Sequence, residues 1–494
     1  MTTTTLTETT PSLADVRRMV GAGTVVPIYR DVRADLETPV SAFLKVARGR
    51  FSYLLESVEG GERVGRYSFI GTEPFRVMAA NHEDGDPLIE IEAELARFRA
   101  VPVPGLPRFH GGAVGYLGYE AVGHFEPRVH APERDALGVP ESWLMFTDTL
   151  LVFDHLMHTI KVVSHVRLDG DIDSSYEQAQ WKIEQLIDRL SQPLAALPYT
   201  PVQSPTGRAV LSNWNRDDYL RAVERYKEYI YAGDVIQVVL SQRFSRETGA
   251  HPFEVYRSLR AINPSPYMYF LQFDDTYIVG ASPELLVKVE EGRVENHPIA
   301  GTRPRGANAF EDARLAEELS HDPKELAEHV MLLDLGRNDV GRVSEPGSVK
   351  VTQQFDLEFY SHVMHLVSHV EGRLRADVSP YEALRASFPA GTVSGAPKIR
   401  AMEIVAELEP DRRGPYAGAV GFFDMSGNLE TCITIRTLVM KDGWAHVQAG
   451  GGIVYDSDPV KEFEETEHKS RALLRAIDDA ERGEGGAPAG SLGY

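Results

Sequence analysis

Apolar and polar positions recur along this chain with two periods, and the places where the period changes mark its elements. From Val235 to Phe244 the period is two: Ile236, Val238, Leu240, Gln242 and Phe244 fall on one side, Val235, Gln237, Val239, Ser241 and Arg243 on the other. Similar runs predict strands at Ser52–Ser57, Arg66–Gly71, Leu150–His165, Tyr267–Phe273 and Tyr277–Gly280. A late meander follows at Tyr416–Phe423, Leu429–Met440 and Trp444–Val454, with turns at Ser426-Gly427-Asn428 and Asp442-Gly443. The longer period predicts a helix over Asp217–Ala232 that carries Leu220, Val223 and Ile230 and closes at Gly233. Asp322-Pro-Lys-Glu325 and Asp458-Pro459 open two more helices, each with an aspartate N-cap and proline at the first helical position. Strands and helices that do not alternate regularly indicate an α+β fold rather than a doubly wound sheet.

Composition narrows the function classes. The 494 residues, 43% apolar, suffice for a large core in one big or two ordinary domains. A formal charge of −22 argues against nucleic acid or an anionic membrane as partner, because both reward basic patches. Cys432, the one cysteine, excludes an intrachain disulfide and fits a reducing compartment. No apolar run approaches the roughly 20 residues that span a bilayer, and the threonine-rich start lacks the features of a secretion signal, so a cytoplasmic protein is expected. Proline density at Ser191–Gly207 marks a linker. The expected organisation is an N-terminal region over 12–190, a linker over 191–209, a second region over 210–482, and disordered tails at 1–11 and 483–494. Gly112-Ala-Val-Gly-Tyr116 echoes Gly418-Ala-Val-Gly-Phe422, five residues that are too few to establish a duplication.

Three segments carry candidate chemistry. Gly391-Thr-Val-Ser-Gly-Ala-Pro-Lys-Ile-Arg-Ala-Met-Glu403 begins as a glycine loop and turns helical from Lys398, with Ile399, Met402 and Ala406 in phase. Such a loop offers backbone N–H groups to an anion, with Thr392, Ser394 and Lys398 as added donors, although an ordinary strand-to-helix turn has the same form. On the helix opened by Asp322, Glu325 and Glu328 share a face, and Glu328 has apolar neighbours in Met331, Leu332 and Leu335. On the helix opened by Asp458, Glu462, Glu465 and Lys469 share a face, where Glu465 and Lys469 also make an ordinary i,i+4 surface pair. Gln237 is an amide on a largely apolar strand and requires partners if buried.

Pro298-Ile-Ala-Gly-Thr-Arg-Pro-Arg-Gly306, Glu328-His-Val-Met-Leu-Leu-Asp-Leu-Gly-Arg-Asn-Asp339, Tyr360-Ser-His-Val-Met-His-Leu366, Gly391–Glu403 and Ala449-Gly-Gly-Gly-Ile-Val454 follow one another in this order. Together they resemble the chorismate-utilising enzymes, and among these the large subunits of anthranilate synthases, from about Asp217 to the helix ending near Arg482 and more weakly before it. The resemblance implies two packed antiparallel sheets flanked by helices, to which both halves of the chain contribute. It further implies that Glu328 and Glu465 hold Mg2+ for a chorismate carboxylate, that Glu284 protonates the departing C4 hydroxyl, and that His365 assists at pyruvate elimination. Thr392 and Gln237 complete the catalytic set, and Gly301, Thr302, Tyr416, Arg436, Gly450, Gly452 and Lys469 hold the substrate. Read from residues alone, Glu284 equally fits a solvated turn carboxylate and His365 a packed core histidine. Arg436 alternates onto the strand face of Cys432 and Thr434, which directs it into the pocket.

Family members that add water to chorismate carry a lysine base where this chain has Gln237, which points to ammonia, already a nucleophile. Aminodeoxychorismate synthases typically place a lysine nucleophile where this chain has Ala300. The resemblance also implies a feedback site for tryptophan at Glu56, Ser57, Pro266, Tyr267 and Met268, with Cys432 nearby. Cys432 lies in a plain strand rather than a glycine-flanked elbow, so a glutamine amidotransferase must be a separate chain, and the resemblance implies a heterotetramer of two large and two small subunits. The rival readings are an enzyme that stops at the amino intermediate, one that makes the 4-amino isomer, and a catalytically silent tryptophan sensor.

Overall fold

The computed structural model describes residues 8–58, 65–194, 209–360 and 363–483. Positions 1–7 of the expected leader, most of the expected linker (195–208) and the tail from 484 lie outside the described residues, as do Ser361 and His362. The ordered fold starts ahead of residue 12, since Thr10 pairs with Tyr29 and the Thr9 hydroxyl accepts from Arg30.

Two large antiparallel sheets form the frame, with twelve and ten strands among the described residues, one strand in each lying off the main order: Leu211–Ser212 beside Gln237–Glu247, and Lys350–Phe359 beside Val363–Arg373. The first runs from Val25–Arg33 through Thr159–Arg167, Thr149–Asp154, Tyr67–Thr72, Phe51–Glu56, Tyr267–Phe273, Thr276–Ser282, Thr437–Lys441 and Trp444–Ile453 to Gln237–Glu247 and the short Gly395–Ala396. The second runs from Ile299–Pro304 through Val363–Arg373, Arg293–Asn296, Leu285–Glu290, Leu429–Ile433, Ala419–Asp424, Gly112–Leu117 and Ser142–Thr147 to Arg76–Ala80. Strands from before residue 191 and after residue 210 thus share both sheets. The two Gly-Ala-Val-Gly segments are adjacent strands in the second sheet, with Val420 opposite Tyr116 and Gly421 opposite Gly115.

Three apolar layers follow. Between the sheets, Tyr53, Tyr269 and Leu271 of the first meet Val114, Tyr116 and Val420 of the second. Outside the first sheet pack the helices Pro39–Val46, Ile172–Ser191, Pro252–Ile262 and Pro459–Arg482. Outside the second pack Pro87–Leu95, Pro323–Val343, Pro380–Ser387 and Lys398–Leu408.

Both aspartate caps form as their residue types require: Asp322 accepts from the Lys324 and Glu325 amides, Asp458 from those of Val460 and Lys461. The helix Arg216–Tyr231 buries Tyr219, Ala222, Val223 and Tyr226 rather than the stripe marked by Leu220 and Ile230, because tyrosine rings carry the larger apolar area. In Gln237–Glu247 both faces are covered, and Val238 and Leu240 lie against that helix. The predicted Leu150–His165 strand is a hairpin, Thr149–Asp154 with Thr159–Arg167.

The consequential departure is in the meander. Leu429–Met440 is two strands: Leu429–Ile433 belongs to the second sheet and Thr437–Lys441 to the first. Arg436 sits at the crossing with φ +52°, a left-handed backbone that costs a residue with a side chain roughly 1–2 kcal/mol. It therefore reaches its position by a break in the strand and not by alternation with Cys432 and Thr434.

Candidate active site

A second crossing lies beside the first. Thr276–Ser282 ends in the first sheet, Leu285–Glu290 begins in the second, and Glu284 occupies the gap between them. The two crossings are bonded to each other, the Ile433 amide donating to the Glu284 carbonyl at 3.0 Å and the Ala281 amide to the Arg436 carbonyl at 3.1 Å. Two carbonyl–amide bonds thus fix a carboxyl and a guanidinium where the layers part.

Glu284 is buried, and the Thr392 hydroxyl lies 3.1 and 3.2 Å from its two carboxyl oxygens. Burial pushes the Glu284 carboxyl up to about 8, against the opposing pull of Thr392, the Ile299 amide and Arg436. It is a protonated acid at neutral pH, not a solvated turn carboxylate. Burial lowers the Arg436 guanidinium from its ordinary value, while Tyr416, Glu465 and Glu284 favour its charge. Tyr416, whose phenol is pushed up to about 12 by burial, is neutral.

The glycine loop is shaped differently from the sequence expectation. Gly391–Ser394 is a helical turn, and Gly395–Ala396 pairs with Gln237 and Val238. Gly395 has φ +130°, and a Cβ there would collide with the Gln237 carbonyl, so glycine is required. Lys398 is not a donor to the site: its ammonium binds Asp339 at 2.7 Å and the Ser387 carbonyl at 3.0 Å. Ser394 donates to the Ala390 carbonyl. Of the three side-chain donors expected here, Thr392 alone serves Glu284.

Gln237 is buried and donates to a Glu328 oxygen at 3.1 Å, while its own carbonyl oxygen has no partner. Gly452 makes room for it, since a Cβ at that position would overlap the Gln237 amide. Glu328 is half-buried and takes part in none of the ion pairs found among the described residues. Glu325 is committed to Arg303 at 3.0 Å. Across the site Lys469 donates to the Gly450 carbonyl at 2.8 Å and pairs with Glu465 at 2.5 Å. Glu465, with 47% of its side chain exposed, makes the i,i+4 pair that its spacing allows.

The His365 Nδ1 lies 3.0 Å from the Gly301 carbonyl and 3.0 Å from the Thr302 hydroxyl. A carbonyl only accepts, so Nδ1 carries the proton and Nε2 presents a lone pair. Burial lowers the imidazole below its ordinary value, which keeps it neutral. Gly301 and Thr302 thus orient the histidine.

One group escaped sequence reasoning. Arg413, fully buried, pairs with Glu409 and donates to the carbonyls of Val393 and Val239 at 2.7 and 2.8 Å. It ties the loop carrying Thr392 to the strand carrying Gln237. The i,i+4 spacing of Glu409 and Arg413 was the available signal.

The regulatory candidates also meet. Strand pairing sets Met268 opposite Glu56. The buried Glu56 carboxylate accepts from Arg260 at 3.1 and 3.2 Å and from the Tyr256 hydroxyl. The Ser57 hydroxyl beside it is buried without a partner, Pro266 is buried, and Tyr267 is half-buried. Burial pushes the Cys432 thiol up to about 12, so it is no nucleophile.

A family model described as chorismate binding enzyme matches residues 50–475. This chain belongs to the chorismate-binding enzyme family. It is 50% identical over 475 residues to anthranilate synthase component 1 of Pseudomonas aeruginosa, covering 92% of this chain and 96% of that one. It is 47% identical over 490 residues to the component 1 of Acetivibrio thermocellus, covering 95% and 99%. The crystal structure of anthranilate synthase component I from Streptococcus pneumoniae superposes with a TM-score of 0.75 at 37% identity, covering 90% of this chain and 98% of that one. The α+β expectation of two antiparallel sheets flanked by helices holds for this chorismate-binding enzyme. Among its described residues no helix is long and apolar enough to cross a membrane.

Proposed function

We propose that this chain is the chorismate-consuming subunit of an anthranilate synthase, converting chorismate and ammonia to anthranilate and pyruvate in tryptophan biosynthesis. The supporting observation is Glu284, a carboxyl held protonated near pH 7 by burial and kept in place by Thr392. Expulsion of a ring hydroxyl requires such an acid. Ammonia attacks C2 while Glu284 gives its proton to the leaving C4 oxygen. Arg436 binds a substrate carboxylate, beside the donors of Tyr416 and the Gly450–Gly452 backbone. The neutral His365 then takes the ring proton through Nε2 as the ring–oxygen bond breaks, and the released enolpyruvate gains a proton on its methylene carbon to become pyruvate. Gln237 is an amide and cannot activate water, which supports ammonia as nucleophile. Glu328 and Glu465 are the side chains that would hold Mg2+, an ion that binds through few carboxylates and accepts an anionic substrate oxygen. Glu328, which has the Gln237 amide but no cationic side chain as partner among the described residues, fits this role as found, and Glu465 fits it by exchanging Lys469 for the ion.

The purified chain, given chorismate, Mg2+ and ammonium, is expected to release anthranilate and pyruvate and to show no turnover with glutamine. An amino intermediate or a 4-amino product, identified by mass and NMR, would overturn the proposal. Glutamine-dependent turnover by this chain alone would overturn the separate amidotransferase subunit.

Feedback by tryptophan is proposed for the Glu56–Ser57 and Pro266–Met268 segments. The charged pair Glu56–Arg260 and the unpartnered Ser57 hydroxyl suit the ammonium, carboxylate and indole N–H of that amino acid. Linkage requires chorismate to weaken tryptophan as tryptophan weakens chorismate. Ser57→Phe is expected to remove inhibition with ammonia as nitrogen source while leaving the uninhibited rate near that of the parent. Equal inhibition in both proteins would place the effector elsewhere.

A further inference from the structure

At the far edge of the second sheet, three side chains from separate segments converge outside the machinery described above. His82 lies in the turn His82–Asp84 after Arg76–Ala80, His124 in the turn Val122–Phe125, and Glu141 just ahead of Ser142–Thr147. One donor atom from each lies within 4.8 Å of the others. His124 Nε2 and Glu141 Oε2 are 3.6 Å apart, beyond hydrogen-bond reach, and both atoms are buried without a partner. Glu141 is only 8% exposed, and its second oxygen has Arg412 no nearer than 3.9 Å. Two buried polar atoms that face each other without a hydrogen bond are costly in an ordinary polar cluster, by about 1–3 kcal/mol for each.

We propose that His82, His124 and Glu141 form a site for a divalent transition-metal ion of the Zn2+ type. An ion with bonds of about 2.0–2.1 Å holds tetrahedral ligands roughly 3.3–3.5 Å apart, close to the 3.6 Å seen between His124 and Glu141. The exposed His82, its ring stacked on His124 with centroids 4.7 Å apart, closes the remaining distance by a side-chain rotation. Two imidazoles and one carboxylate select zinc over Mg2+, which demands oxygen ligands in an octahedron. Burial raises the Glu141 carboxyl while both imidazoles pull it back, and a bound cation would complete that pull. Glu120, whose own carboxyl is raised by burial and in part by Glu141, and Arg412 are the other charges facing the cluster. With three protein ligands, water takes the fourth position, and the ion staples the turn after Arg76–Ala80 to the two segments beneath it.

The test is a Zn2+ titration of the chelator-treated full chain in excess Mg2+, read by competition with a chromophoric chelator and by thermal unfolding. One tight equivalent and a raised Tm are expected in the parent and in Glu465→Gln. Both should be lost, with affinity at least tenfold weaker, in His82→Ala, whose exposed position leaves the fold intact, and in Glu141→Gln. Absence of a tight equivalent in the parent, or binding by His82→Ala equal to the parent, would overturn the proposal. So would loss of the tight equivalent in Glu465→Gln, which would assign the ion to the substrate site.

Discussion

Glu284→Gln is expected to lower kcat with ammonia by roughly 10²–10⁴-fold, the range that a positioned general acid supplies. The amide has the shape of the carboxyl and still accepts the Thr392 hydroxyl, so the fold should survive and chorismate binding should change little. Glutamine carries no transferable proton at the atom facing the departing hydroxyl, and that alone is the loss. The pH profile follows from the same group. Glu284 is active when protonated, and its carboxyl titrates at about 8. In the parent, kcat/KM therefore falls as pH rises through that value. Ammonium releases more free ammonia as pH rises, so the profile must be expressed per concentration of NH3 or its falling limb will be hidden. In Glu284→Gln the limb should vanish along with the rate. A variant that kept most of the parent activity, or a parent profile that rose through pH 8 after that correction, would remove Glu284 from the acid role.

Glu465→Gln is expected to abolish Mg2+-dependent turnover. The ion pair with Lys469 is the competing explanation for this residue, and magnitudes separate the two. An exposed pair of this kind contributes about 0.2–1 kcal/mol to stability and nothing to metal affinity. Loss of a direct ligand should weaken Mg2+ by more than the ~10–100-fold that follows removal of a group merely supporting a ligand. The measurement is activity against Mg2+ concentration in the parent and the variant, with Tm as the check on folding. A shift of the Mg2+ dependence by orders of magnitude, at nearly constant Tm, assigns Glu465 to the ion. Near-normal turnover at ordinary Mg2+ would return it to Lys469.

What the sequence determined by itself is local. The caps at Asp322 and Asp458, the alternation through Gln237–Glu247 and the shared face of Glu462, Glu465 and Lys469 all emerge as their residue types require. Each depends on neighbours within a turn or two, where the period of the chain decides which side chains meet. The family resemblance, carried by five ordered motifs, extended this to the two-sheet frame. Only the tertiary structure decided the rest. Tyr277–Gly280 reads as a strand before a turn and Leu429–Met440 as one unbroken strand, yet each stretch passes from one sheet to the other, and the two crossings side by side bring Glu284 and Arg436 together. No periodicity encodes that, because the breaks at Pro283 and Arg436 are defined by partners more than a hundred residues away. Burial likewise made Glu284 an acid, and the Gly301 carbonyl assigned the His365 proton. Lys398, a donor by composition, was claimed by Asp339, and Arg413, unremarked in the chain, became the tie between loop and strand. A charge's role follows from which distant groups desolvate and bond it, and only the packed fold sets those distances.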